Sequence, residues 1–440
     1  MVFTRQKILY LRIGIVLVVI VIHASYIGGG FVGIDHGDIE YGHALRPLSE
    51  IKAMFTHRFG ETGFYRPLVT FFDSLDASLY GKSAYGFRLT NVLLHAAFAV
   101  AAYFFARIFF FLASHESLLV MLVAGVHPLS WPIVGGINYR SELLVAILTL
   151  SSVSFHILAR LKGKKVYSAL AFLFFLTALF SKETAIVWIP TLIIFWEIAS
   201  RRSKSKTTKQ KFSQTLFLLE IFAIGLYLTL RANAVPELWR VSGVHLPLFE
   251  ALGTRLAAFG WQLIYLTSPI LPSLSDAMPV VGMLYPLALA TGLIFICTIV
   301  FLWRKGFPSL ESRAFVFLAL ALAPALNIIP TPRFVSPHYG YLATAGIGVV
   351  FIIVWRHMLA HSERVARFFA VLGIMWVLVA ATATFFGGFR FRDDKTLFES
   401  DVARDENFLE GYYHIGNYYW ALGDYENAAR YFENALTRSL

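Results

Sequence analysis

The chain has 440 residues, of which 57% are hydrophobic, 16% aromatic and only 15% charged. Soluble domains carry about 25% charged residues, so this composition excludes a water-soluble globular enzyme and implies a polytopic membrane protein. The formal net charge of +11 sits mainly in short connections between apolar runs, where orientation in a bilayer explains it better than nucleic acid does.

The first apolar run, KILYLRIGIVLVVIVIHASYIGG, is long enough to span, since about 20 residues at 1.5 Å rise cross a ~30 Å hydrocarbon core. Arg5, Lys7 and Arg12 also suit the start of a signal peptide. The run is long for such a segment and lacks a clear small-residue cleavage site, which favours an uncleaved first helix. Further apolar runs follow at 87–112, 118–134, 143–161, 166–180, 185–199, 212–230, 284–303, 314–329, 339–355 and 368–386. The fold class is therefore all-α, a polytopic membrane bundle of about 11 transmembrane helices. The stretch 252–272 is also apolar, yet Arg255, Gln262, Pro269 and Pro272 mark it as a re-entrant or interfacial element. Cys297, the sole cysteine, lies within an apolar run, so no intrachain disulfide or cysteine-rich metal site is available.

With a cytoplasmic N-terminus, eleven crossings place LKGKK, RRSKSKTTKQK, WRKGFPSLESR and WRHMLAHSERVAR on the cytoplasmic side, as the positive-inside rule requires. RRSKSKTTKQK reads as a loop meeting anionic lipid. The opposite face then receives a large first loop at 31–86, a region at 232–282 and the C-terminus. Residues 1–388 form the membrane domain and 389–440 an external helical segment. Within that segment Tyr412, Ile415, Gly416, Tyr419, Gly423, Tyr425, Ala428, Phe432 and Ala435 keep the spacing of one tetratricopeptide repeat, preceded by the helix-like half DDKTLFESDVARDENF. A single repeat is too little to stand alone, so it must pack on the membrane domain, take a partner or begin an array.

The first loop opens with FVGIDHGDIEYGH (31–43), a dense polar exit from a membrane helix. Other polar residues reach the same face: Arg66 beside Tyr65, Asn138 to Glu142, Ser181 to Glu183, and Arg333 with His338 and Tyr339. Ionisable groups next to lipid are costly unless solvated or paired, which makes them functional candidates. Histidines are not spaced as in a zinc helix, so no metal site is expected.

The blocks YRPLVTFFDSLDASLYGKSAYGFRLTNVLLH, VHPLSWPIVGGINYRSELLVA, LTALFSKETAIVWIP and LNIIPTPRFVSPHYGYL, followed by the repeat, resemble the transmembrane and tetratricopeptide-repeat-containing O-mannosyltransferases. That family belongs to the GT-C glycosyltransferases, which take sugars from polyprenyl-phosphate carriers. The resemblance implies a GT-C-like bundle with a lumenal or periplasmic active face and an acidic residue of the first loop near the transferred sugar. The family's paired acids fall on Asp35 and His36, a histidine standing where the second acid would be. Its Glu-Arg pair falls near Pro337 and His338, a second departure.

On this reading an acceptor hydroxyl attacks the anomeric carbon once, with inversion, and a carboxylate takes its proton. Asp35 is the expected base and Asp38 its substitute. Fixed cations must hold the departing phosphate, and Lys182, Arg66, Arg140 and Arg333 are available. His36, Tyr65, Asn138, Tyr139, Glu142, Glu183, His338 and Tyr339 are expected to contact sugar or acceptor. Plainer readings stand beside these: Asp35 and Asp38 as solvated acids at a helix exit, Arg66 and Arg140 as anchors or partners of Glu61 and Glu142, and Lys182 with Glu183 as a local ion pair. The implied partners are membrane lipid, a polyprenyl-phosphate-linked sugar as donor substrate, an acceptor protein or glycan, and a protein at the repeat; a divalent metal has no support in the sequence. Two other functions remain open, a transferase of the same fold acting on a lipid or glycan, and a non-enzymatic scaffold or transporter. A transporter predicts symmetry between halves, which is not evident.

Overall fold

In the computed structural model the described residues are 4–202, 214–235, 246–275, 277–306, 309–327 and 333–438. Most of RRSKSKTTKQK and residues 236–245 of the region expected to be external fall outside them. Among the described residues all regular structure is helical. The order is α1 (Arg5–His23), α2 (Ile51–Thr56), α3 (Pro67–Tyr80), α4 (Ala84–Phe109), α5 (Ser114–Val126), α6 (Ser130–Gly135), α7 (Arg140–Lys162), α8 (Lys165–Leu179) and α9 (Ala185–Arg202). It continues with α10 (Gln214–Ala234), α11 (Leu248–Thr267), α12 (Pro286–Lys305), α13 (Leu310–Ala321), α14 (Thr344–His361), α15 (Glu363–Gly387), α16 (Asp394–Arg404), α17 (Leu409–Ala421) and α18 (Tyr425–Arg438).

Seven of the described helices are long and apolar enough to cross a membrane, beginning at Arg5, Ala84, Ile137, Gln214, Pro286, Thr344 and Glu363. The remaining apolar runs are helical but shorter. Two of them break where the sequence suggested continuity. The run 118–134 splits at His127, whose ψ of 132° is extended, because Pro128 cannot continue a helix and disfavours helical backbone before it. The run 314–329 stops at Leu322 before a short turn at Ala323–Leu326, and Asn327 adopts a left-handed φ of 46°. The stretch expected to be re-entrant or interfacial is an unbroken 20-residue helix, α11, with Pro269 and Pro272 beyond its end.

The bundle is built around α4 and α7, which pack on each other and on α5, α8 and α9, while α14 lies across α5, α13 and α15. Its core is aromatic, with Phe105, Phe109, Phe110 and Phe317 in mutual ring contact. Arg160, buried inside the bundle, is paired with Glu197, because a lone buried charge is far costlier than a pair.

The C-terminal segment docks on the membrane domain. Phe391, Leu397, Phe398, Phe408 and Ile415 form one apolar cluster with Tyr26, Val32, Trp131 and Val134. Ser273 donates to Asp401 at 3.0 Å and Ser275 to Asp405 at 2.5 Å across the join, while within the segment Asp401 pairs with Arg390 at 2.6 Å. The repeat itself is the hairpin α17–α18. Gly423 turns it with a φ of 77°, and Gly416 lies so near Phe432 that a Cβ would meet the ring at 2.5 Å. Gly416→Val is therefore expected to push α18 off α17 at a cost of about 1–3 kcal/mol, seen as faster proteolysis after residue 409 with the membrane domain intact.

Candidate active site

At one end of the bundle, the exit of α1, the N-terminus of α3, the start of α7, the turn after α8 and the stretch before α14 come together. Asp35 is fully buried there. Its Oδ2 accepts from the Ile137 amide at 3.1 Å and its Oδ1 from the Asn138 amide at 2.9 Å. Burial pushes its carboxyl up, and Arg88, the two amides and His36 pull against that. Asp38 is 6% exposed, and among the described residues its carboxylate has no hydrogen-bond partner. Burial and the neighbouring Asp35 raise it to about 6, against the pull of His43 and Arg66.

Pro67 opens α3 at its first position, which leaves Arg66 as the preceding cap residue facing the site. Arg66 pairs with Glu183 at 3.0 Å, stacks over Phe64 at 4.0 Å and points a further nitrogen at Ser141 Oγ, 3.4 Å away. Burial raises Glu183, but Arg66 and Lys182 outweigh it and hold this carboxyl at about 2. Lys182 pairs not with its sequence neighbour but with Glu142. The same Glu142 oxygen lies 3.7 Å from His338 Nε2. Burial, then Lys182, Arg333 and Arg66, drive His338 far below the usual imidazole range, so the ring is neutral. Its Nδ1 shares a 2.6 Å hydrogen bond with Ser336 Oγ, and its ring lies 5.1 Å from that of Tyr139. Arg333 reaches the Tyr139 hydroxyl at 3.4 Å and pairs with Glu410 of α17, while Tyr339 donates to the Arg333 carbonyl at 3.1 Å.

Two expected site residues are occupied elsewhere. Arg140 is fully buried and paired with Asp73 at 2.8 Å and Asp76 at 2.7 Å, with Asn91 Oδ1 and Phe87 O as further acceptors. It ties α7 to α3 and α4 instead of facing a phosphate, and its partners are not Glu61 or Glu142. Tyr65 donates to Phe55 O at 2.8 Å and packs on Tyr227, which removes it from the sugar-facing set.

A cleft beside the site is lined by Gly33, Asn138, Tyr139, Arg333 and His338 from the membrane domain and by Phe398, Phe408 and Glu410 from the C-terminal segment. The sequence reading missed Asp394 and Glu410, because nothing local marks acids whose partners lie 361 and 77 residues away. It also missed Asp73 and Asp76, although two acids on one face of the apolar FFDSLDASLY were a signal. Asp394 Oδ1 accepts from the Gly33 amide at 2.6 Å and Oδ2 meets His36 Nε2 at 3.1 Å, so it holds the two residues around Ile34 and Asp35. Among the described residues no group of three or more His, Cys, Asp or Glu side chains is placed to hold a metal ion.

With this geometry in hand, the chain is 24% identical over 446 aligned residues to a protein O-mannosyl-transferase of Caenorhabditis elegans, an alignment that takes in 95% of the chain. The chain resembles the O-mannosyltransferases that carry tetratricopeptide repeats. Residues 409–439 match the family described as tetratricopeptide repeat, TPR_8. The chain spans 61% of the length of the curated relative. Among solved structures it superposes on ArnT from Cupriavidus metallidurans bound to undecaprenyl phosphate, with a TM-score of 0.45 and 13% identity over 92% of this chain and 81% of that one. It also superposes on the Archaeoglobus fulgidus oligosaccharyltransferase, with a TM-score of 0.47 and 13% identity over 86% of this chain and 53% of that one. TM-scores below 0.5 mark loose superpositions of helical bundles.

His36 is raised to about 9 because Asp394, then Glu40 at 2.5 Å, favour its protonated form over the cost of burial. A group whose folded pKa lies above its unfolded value of 6.5 stabilises the fold fully below 6.5 and loses that effect as pH rises through the folded value. Hydrogen exchange of α16 and of residues 33–40 is accordingly expected to speed up between pH 6.5 and 9, after correction for intrinsic rates. His36→Gln should abolish the pH dependence, and its persistence in that variant would refute the assignment.

Proposed function

We propose that this protein is a membrane glycosyltransferase that moves a sugar, mannose in the case of the relative it resembles, from a polyprenyl-phosphate carrier to serine or threonine hydroxyls of a polypeptide. The observation that carries this reading is the convergence of two first-loop carboxylates and three cations from separate elements at one end of an apolar bundle. A polyprenyl tail stays in lipid, its phosphate lies at the interface and the acceptor arrives from water, so one bundle end serves all three.

In this reaction the acceptor oxygen forms a bond to the anomeric carbon as the carbon–oxygen bond to phosphate breaks, with inversion. The acceptor's proton goes to a carboxylate, and polyprenyl phosphate leaves. Asp38 fits the base better than Asp35, because its oxygens are uncommitted while both Asp35 oxygens already accept amide hydrogens. That reverses the order the sequence position suggests, and gives Asp35 the task of fixing the loop that presents Asp38. Arg66, Lys182 and Arg333 form the phosphate group. Each rests on a carboxylate, which holds it in place, and for Arg66 and Lys182 this leaves donors over, since guanidinium carries five N–H groups and ammonium three. The C-terminal segment lining the cleft supports a polypeptide as acceptor, brought past Glu410 and Phe408 to reach the carboxylates.

The direct test is transfer by the purified full chain from polyprenyl-phosphate mannose to a serine- and threonine-rich polypeptide or to a glycolipid. Transfer to the glycolipid alone would overturn the acceptor assignment. Asp38→Asn is expected to lower turnover about 10²–10⁴-fold with donor binding unchanged. Because a base must be ionised, wild-type turnover should fall as pH drops through about 6, the value to which Asp38 is raised. A flat profile there, or normal turnover in the variant, removes Asp38 from the role. Lys182→Ala should raise the donor KM about ten- to a hundredfold, the worth of one charge-assisted hydrogen bond, and leave the acceptor KM alone. A change confined to the acceptor KM would place Lys182 elsewhere.

A further inference from the structure

At the end of the bundle away from the candidate site lies a second concentration of charge. α1 starts there and runs toward the site, whereas α4 and α7 start at the site and end there. α4 has 26 residues, about 39 Å at 1.5 Å per residue, so the two ends are separated by a bilayer's hydrocarbon thickness. A groove of about 600 Å³ opens between these helix ends. Arg5 and Arg12 of α1, Arg107 in the last turn of α4 and Lys162 at the end of α7 line it, with Ile8, Tyr103, Phe104, Phe111, Leu158 and Leu161 as its apolar wall.

Arg5, Ile8 and Arg12 recur on one face of α1, so both guanidinium groups project into the same groove. The Arg12 guanidinium lies 5.2 Å from the Tyr103 ring and 5.6 Å from that of Phe104, and its enclosed Nε has no hydrogen-bond partner among the described residues. Among the described residues no acidic side chain lines the groove. The nearby Glu116 is taken up by Arg356 and by the Ala113 amide. Four cations from three helices thus meet without a counter-ion, beside Phe104 and Phe111, which are exposed where acyl chains lie. Snorkelling alone would spread such residues around the rim; here they converge.

We infer that this groove binds the phosphate of an anionic phospholipid, with one acyl chain along Tyr103, Phe104 and Leu161. A free anion would gain the charges without the apolar wall, so the lipid is the occupant that uses both. The site is separate from the donor's, and its occupancy anchors the start of α1 to α4 and α7.

The test is native mass spectrometry of the full chain in detergent with equimolar phosphatidylglycerol and phosphatidylcholine. The wild type should retain one phosphatidylglycerol under conditions that strip phosphatidylcholine. Arg12→Gln combined with Arg107→Gln should lower that retention about thirtyfold, since each basic residue near anionic lipid is worth about one kilocalorie and each 1.4 kilocalories is about tenfold. If that pair misfolds, Arg5→Gln with Lys162→Gln at exposed positions should lower retention with the lipid-free melting midpoint unchanged. Arg304→Gln with Lys305→Gln, at the end of α12 outside the groove, should have no effect. Equal retention in wild type and groove variants, equal loss in the α12 variant, or displacement by millimolar inorganic phosphate would each overturn the assignment.

Discussion

The Asp35 carboxylate, sealed from solvent and accepting the amides of Ile137 and Asn138, joins the exit of the first membrane helix to the start of α7. A buried acid in this setting is costly unless its oxygens are satisfied, and two backbone amides satisfy them from a segment that cannot easily move. Everything polar at this end is arranged outward from that join. Arg88 lies near enough to offset the buried charge while donating to Gly135 O at 2.8 Å and to Gly30 O, so the loop ends on both sides of Asp35 are held by one side chain. Asp38 is carried one turn further and left with open oxygens.

From there the pairing spreads as a chain of neighbours in which each cation is matched to an acid distant in sequence: Arg66 to Glu183, Lys182 to Glu142, Arg140 to Asp73 and Asp76, Arg333 to Glu410. All of these pairs except Lys182 with Glu142 link membrane elements to the first loop or to the segment after α15. Asp394 and Glu410 make the C-terminal helices part of the site's wall, so the repeat hairpin is positioned relative to the carboxylates by two acids as well as by the apolar cluster around Phe391 and Trp131.

Much of the architecture was legible because it depends on local composition. Apolar runs must be helical where the backbone has no water to bond with, and the runs read from the sequence fall on helices. The repeat was legible because Gly416, Gly423, Ala428 and Phe432 occupy positions where only small or large residues fit between two helices. Breaks inside apolar runs were less legible: Pro128 and Pro324 interrupt helices in stretches whose hydropathy is continuous, and hydropathy alone does not register a missing N–H. At the site, clustering at one membrane face could be read, but partners could not. Lys182 lies next to Glu183 in sequence and pairs with Glu142, since the turn after α8 aims the two side chains apart.

The amino-acid sequence by itself determined an all-helical membrane protein with a polar first loop, basic connections gathered opposite it and a C-terminal repeat, because burial and helix-helix spacing act over a few residues. Which carboxylate keeps free oxygens, which arginine is locked into the scaffold and which distant acid steadies the loop were decided only by tertiary structure. Those outcomes depend on contacts between residues separated by up to 361 positions, and on the desolvation that packing imposes on each charge.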